Sequence, residues 1–457
     1  MEKNKVSLSY PTVQKEDFII LIVRKHKQQL IYALVWNIFE SMLYHIIFLT
    51  HQAILYRIAG KEIYGKIGAL FSFSFFCITL ATLGLDTALI PFIRQLVGTK
   101  SMRRLLFTKH LIPHFILLLC STPCILIVGK VTNVIPLLYY YSFTTIFMLS
   151  FFIATETIRK IMRHILQFLF YNKYAAFTEV GMVLLYSTLF WTGYLLGIPL
   201  DAPYAVLLPF LLLSCGSLIV LVQKIRNLVI PTEKYNELDQ SSIAVNQTVH
   251  TIIIHSQWWL TLNTVTRLFF SSNLLIPLCA VSMGYMHAGI ATIAHYTTHA
   301  MTFFIHKITT PLVAALFALP EATQSSSLQK STLFVTVICF MGITLLIASG
   351  GVCIAWFTHA SWESTTIQYA ICFFILHTIE QLFTIYEKFF ASLHLPSHLT
   401  LTNGISALMA LFISYYIHSF STLLLCFIGI RTGALLILSY IIWTKKEANF
   451  IKNTVQL

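Results

Sequence analysis

The stretch Thr422-Leu-Leu-Leu-Cys426-Phe-Ile-Gly429-Ile-Arg431-Thr-Gly433-Ala-Leu-Leu-Ile-Leu438-Ser-Tyr440-Ile-Ile-Trp443 carries a single charged side chain, Arg431. Coiled into a helix it crosses the roughly 30 Å of hydrocarbon in a bilayer. The runs from Leu30 to Thr50 and from Leu333 to Phe357 read the same way. The chain as a whole shares their character, with 457 residues of which 57% are hydrophobic and 10% charged. A soluble domain carries roughly 25% charged residues. So few charges cannot cover a surface in water, and length here counts membrane spans.

Hydropathy places spans near 30–50, 66–93, 111–129, 137–156, 174–196, 203–222, 258–282, 289–318, 332–350, 365–388, 397–417 and 421–443. Spans two and eight exceed what a bilayer needs, which implies tilt, a kink or projection beyond the lipid, with Pro91 and Pro311 as kink points. The net charge of +13 suggests nucleic acid only until its placement is read. With the amino terminus inside, the inner segments hold 23 Lys and Arg, the outer loops 4, and the spans 3. That is the positive-inside asymmetry of a membrane protein with both termini in the cytoplasm, and no nucleic-acid partner is expected. No apolar run precedes a cleavage site in the first 29 residues, so the first span is expected to direct insertion. The nine cysteines lie in or beside apolar segments without zinc or disulfide spacing and read as small packing residues, Cys120 and Cys124 included.

The longest polar stretch separates spans six and seven. The organisation is therefore a cytoplasmic segment 1–29, a six-helix lobe 30–222, a cytoplasmic loop 223–257, a second six-helix lobe 258–443 and a tail 444–457. A stretch from Asn37 to Tyr64-Gly65 is echoed by one from Asn263 to Ala288-Gly289, as an internal repeat requires. Arg159-Lys160-Ile-Met-Arg163 and the segment before span one place basic residues beside apolar ones and read as interfacial helices on anionic lipid.

Ile58-Ala-Gly-Lys-Glu-Ile-Tyr64-Gly65-Lys-Ile-Gly68, followed by Leu83-Gly84-Leu85-Asp86, resembles the head of the second span in bacterial polysaccharide or oligosaccharide flippases. These belong to the multidrug/oligosaccharidyl-lipid/polysaccharide exporter superfamily. The basic segment after span four, the Ala288-Gly289 head of span eight and Tyr386-Glu-Lys-Phe-Phe-Ala-Ser-Leu are similar too. The resemblance implies an all-α polytopic fold of about twelve transmembrane helices in two six-helix lobes around a central cavity. It also implies transport by alternating access. The second lobe departs from the family in its richness in Thr and His.

Ionisable groups within spans are the default functional residues, because hydrocarbon penalises them unless a cavity or partner compensates. Arg267, Lys307 and Arg431 are the expected anion ligands for a diphosphate headgroup. Glu40, Glu380, His295, His299 and His306 are the expected gating or ion-coupling groups. Glu40 and Arg267 sit at matching depths on spans one and seven, as a cavity pair or an ion pair between lobes, and Lys307 is at the depth of Glu380. Thr292, His295, His299, Thr302, His306 and Thr309 share one face of span eight, which must line water or protein. Glu156 and Glu179 are near enough to the inner interface to snorkel. His295 and His299 lack the glutamate and third ligand of a metal site, and no phosphate-cradling loop is present, so neither metal nor cofactor is expected. His359 and Glu363 are the only candidates for enzymatic chemistry at an outer face.

The expected function is a flippase of the inner membrane for a lipid-diphosphate-linked oligosaccharide, with membrane lipid and a coupling proton or sodium ion as its other partners. The alternatives are a drug or cation exporter of the same superfamily, a major-facilitator carrier, and a membrane-embedded glycan-modifying enzyme.

Overall fold

The computed structural model describes residues 15–89, 100–133, 135–139, 141–169, 171–227, 257–298, 364–392, 396–417 and 419–455. Among them every regular element is helical: α1 (Lys15–Ala81), the single turn α2 (Leu85–Ala88), α3 (Lys100–Leu105), α4 (Ile112–Val131), α5 (Phe143–Phe168), α6 (Asn172–Leu195), α7 (Pro203–Arg226), α8 (Gln257–Leu268), α9 (Ser272–Met283), α10 (285–298), α11 (Ser364–Ser392), α12 (Pro396–Tyr416) and α13 (Phe420–Val455). A π-helical turn over Leu106–Leu111 joins α3 to α4. Ile46, Ile125, Leu212, Leu408 and Leu436 are each more than half exposed. A jacket of such side chains around helices this long and apolar is the lipid-facing surface of a multi-pass membrane protein.

The helices form a first lobe (α1–α7) and a second (α8–α13), whose hydrophobic clusters are largely their own. In the first, Phe71, Phe152, Tyr186 and Phe210 interlock edge to face. In the second, Phe270 meets Phe427 edge to face and Phe373 lies tilted against Phe420.

Two glycines break the helical path. Gly60 has φ 75 and ψ 170, and Gly284 has φ 89 and ψ 166. A side chain strains this backbone, whereas glycine adopts it freely. Residues 51–65, expected as an external loop, are helical on both sides of Gly60, so spans one and two are the two limbs of α1. Just past each break the lobes meet. A Cβ on Gly65 would stand 1.9 Å from the Tyr285 carbonyl oxygen, and one on Gly289 2.3 Å from that of Lys61. Gly60 and Gly284, Lys61 and Tyr285, and Gly65 and Gly289 are each separated by the same 224 positions. The contact is therefore reciprocal, each lobe giving a glycine to the other's carbonyl, and the self-similarity in the sequence is an interface. Gly68 packs on Thr292 one turn further along, and Phe48 meets Tyr296 edge to face. Away from the Gly60 end, Gly84 lies against Leu260 and the Thr261 hydroxyl donates to the Leu83 carbonyl at 2.5 Å.

Several boundaries move. The second limb of α1 stops at Ala81, where Leu83 and Gly84 both take positive φ, although hydropathy ran on to 93. α5 starts at Phe143 and runs through the supposed loop after 156 as far as Phe168. Span seven is broken, α8 and α9 meeting at 42°. The segment before span one continues straight into it as the start of α1. Pro91, Pro311, span 332–350 and most of loop 223–257 lie outside the described residues.

Candidate functional site

In the first lobe three carboxylates and two guanidinium groups form one buried network. Arg159 grips both Glu156 oxygens, Nε to Oε2 at 2.6 Å and Nη2 to Oε1 at 2.5 Å, and reaches Glu179 at 2.6 Å with Nη1. Arg163 joins Glu40 at 2.5 Å to Glu179 at 2.9 Å. The Ser214 hydroxyl of α7 donates to Glu156 at 2.7 Å. Glu40, Glu156, Glu179 and Arg159 are each at most 5% exposed. Ions so far from water persist only with close, multiple partners, and the bidentate grip supplies them. The network pins α5 to α1, α6 and α7, and Asn172 seconds it by donating to Asn37 at 2.9 Å.

The second lobe repeats the design with the charge reversed. Glu380, 224 positions after Glu156, accepts from Arg267 Nε at 2.8 Å and Arg431 Nε at 2.5 Å. Arg431 Nη1 also donates to Asn403 at 2.5 Å, and its guanidinium lies 3.6 Å from the ring centre of Phe383. Asn403 donates to Asn263 as Asn172 does to Asn37. The first lobe thus holds three carboxylates against two arginines, and the second one carboxylate against two arginines.

A cation of each lobe comes within reach of the other. Lys160 on α5 is partly exposed and within electrostatic reach of Asp86, Glu156, Arg163 and, across the gap, Arg267. Arg267 is 27% exposed while Arg431 is fully buried. Lys160 and Arg267 are thus the partly solvated cations of this region.

No protein-family model and no curated protein matches the sequence. Solved structures do. An outward-facing multidrug resistance MATE family transporter of the MOP superfamily aligns at TM-score 0.64 and 14% identity over 94% of this chain and 97% of that one. A MATE transporter in complex with MaD5 aligns at 0.62 and 13%, over 92% and 96%. A MOP superfamily transporter from Pyrococcus furiosus aligns at 0.60 and 13%, over 92% and 96%. The fold is the one these solved structures share. The architecture is accordingly an all-α membrane fold of about twelve transmembrane helices in two six-helix lobes.

Within the MOP fold the expected site residues separate. Arg267 and Glu40 do not pair: each is neutralised inside its own lobe, Arg267 by Glu380 and Glu40 by Arg163. Glu380 is held by two arginines. His295 is 5% exposed, with Nδ1 2.9 Å from His377 Nε2, and Thr292 is wholly buried against Gly68. That part of the span-eight face lines protein. His299, His306, Lys307, Thr302, Thr309, His359 and Glu363 lie outside the described residues. Glu156 and Glu179 do not snorkel, and Arg159 and Arg163 do not rest on lipid, because the α5 face that carries them points inward to three carboxylates. Lys160, Ser214 and His377 were missed. Lys160 was absorbed into an apparently interfacial helix, while Ser214 and His377 are uncharged residues whose partners come from other helices.

Proposed function

We propose that the chain is an alternating-access flippase that moves a lipid-diphosphate-linked oligosaccharide across the inner membrane, with both termini cytoplasmic. The observation that carries this reading is that Lys160 and Arg267, one from each lobe, lie within electrostatic reach of each other. Each is partly compensated within its own lobe, Lys160 by Asp86 and Glu156 and Arg267 by Glu380, and a diphosphate between them adds a counter-charge common to both. Glu380 holds the Nε edge of Arg267 and presents its planar guanidinium, a geometry suited to two phosphate oxygens. Arg431 acts behind Glu380 as its fixed counter-ion, and Lys307, outside the described residues, is a further cation proposed for the headgroup. The glycan crosses between the lobes while the lipid tail stays in the bilayer.

For the Pyrococcus furiosus neighbour, reverse polarity of the binding pocket suggests a different function. In this chain the same question turns on which charges reach the gap. The surplus carboxylate of the first lobe favours a second reading, export of a cationic drug. Against it, Glu40, Glu156 and Glu179 are 1%, 4% and 5% exposed, whereas Arg267 is 27% exposed.

The test is reconstitution of the full chain in vesicles. A fluorescent disaccharide on a polyprenyl diphosphate becomes accessible to a membrane-impermeant quencher in the opposite leaflet, and ethidium efflux is followed in parallel. Flipping of the disaccharide without ethidium transport is expected. Ethidium transport without flipping would replace this reading with the second.

A further inference from the structure

α10 carries two things at once. Its head, Gly289 and Thr292, makes the contact that closes the lobes on each other at the Gly60 end. One turn on it carries His295, whose Nδ1 lies 2.9 Å from Nε2 of His377 on α11. Phe373 flanks both imidazoles, with centroids 5.9 Å from His295 and 6.0 Å from His377, and Tyr296 stands 5.2 Å from His295. Among the described residues, charge lies on one side of the pair. Glu380 lies one turn along α11 from His377 and interacts with it, and it brings Arg267 of α8 and Arg431 of α13. On the other side α1 presents Phe48 to Tyr296, with the Tyr44 and Tyr64 hydroxyls within electrostatic reach of the Tyr296 hydroxyl. His299, on the same face, is outside the described residues.

We propose that His295 and His377 together form the binding site for one coupling proton, and that its occupancy sets whether the lobes stay closed at the Gly60 end. With both rings neutral, one nitrogen donates and the other accepts. One added proton turns the pair into an imidazolium bonded to an imidazole, which keeps the bond and strengthens it. A second proton removes the acceptor, so the pair takes one. The new charge sits beside Glu380 and competes with Arg267 for it. Proton binding thus loosens Arg267 for the anion in the gap, a consequence that rests on the function proposed above. Because His295 and Gly289 share one short helix, a shift at the pair also moves the lobe contact.

The test needs no transported substrate, so it stands whichever cargo the chain carries. Nitroxides are placed at Leu195 and Tyr416, which are 83% and 64% exposed, in a background lacking the nine native cysteines. Distances are read by double electron–electron resonance in phosphatidylethanolamine and phosphatidylglycerol nanodiscs. Between about pH 8 and about pH 5.5, the range in which histidine titrates, the parent is expected to shift between two distance populations with the steepness of a single proton. His295→Gln and His377→Gln should each abolish the shift. His377→Asn, which keeps a hydrogen-bonding partner for His295, carries the test if the glutamine variants do not stay monodisperse. A parent that does not respond to pH, or a shift retained in the variants, overturns the proposal.

Discussion

A methyl group on Gly65 probes the interface between the lobes directly. Its Cβ would begin 1.9 Å from the Tyr285 carbonyl oxygen and 2.8 Å from the Gly289 nitrogen, both backbone atoms that cannot rotate away. Ordinary contact starts at 3.4 Å, so the crossing must open by about 1.5 Å. Overpacking of this kind costs about 1–3 kcal/mol, and if the open arrangement escapes that cost, its population rises by about 5-fold to about 150-fold. Gly65→Ala is therefore expected to lengthen the Leu195–Tyr416 spin-label distance at fixed pH. Gly289→Ala should do the same, since its Cβ meets Lys61 at 2.3 Å. The double variant should fall well short of the sum of the two, because one displacement relieves both clashes. Gly181→Ala on α6, where nothing lies within 4 Å, is the control and should change nothing. An unchanged distance in Gly65→Ala, or full additivity in the double variant, would refute the reciprocal contact.

Arg159→Ala leaves Glu156 and Glu179 buried with one fewer guanidinium and should cost about 3–5 kcal/mol, read as loss of monodisperse protein on mild heating in detergent. Arg159→Met combined with Glu156→Gln and Glu179→Gln should restore most of that loss; failure to recover would mean Arg159 acts through something other than these carboxylates. Arg431→Leu should destabilise more than Glu380→Gln, because it also strands Asn403 and empties the space over Phe383, and the same heating assay ranks the two.

The spans were readable because a bilayer enforces long apolar runs, and the repeat because Gly65 and Gly289 recur in register. The partners of the charges were not. Glu40 and Arg267 have the same depth, so one-dimensional reading pairs them, yet each is satisfied by a residue more than a hundred positions away in its own lobe. Arg159, Lys160 and Arg163 look like a basic amphipathic segment since their apolar neighbours, Ile158, Ile161 and Met162, have helical spacing. Which side of α5 faces inward depends on Glu179 and Ser214, supplied by helices that form later in the chain. The break at Gly60 was hidden for another reason: residues around it are polar enough for a loop and helical enough to continue, and only the φ of one glycine separates the two.

The central claim is that an anion is held between the lobes by one cation from each. Its most direct measurement is the initial flipping rate of the fluorescent polyprenyl-diphosphate disaccharide in vesicles containing the parent, Lys160→Gln, Arg267→Gln or Arg267→Lys. Losing one charge–phosphate hydrogen bond, worth about 1.5–3 kcal/mol, should slow each glutamine variant by about tenfold or more. Arg267→Lys should retain an intermediate rate, because lysine keeps the charge without the planar fork. Parent-like rates in both Lys160→Gln and Arg267→Gln, at normal abundance, would contradict the account.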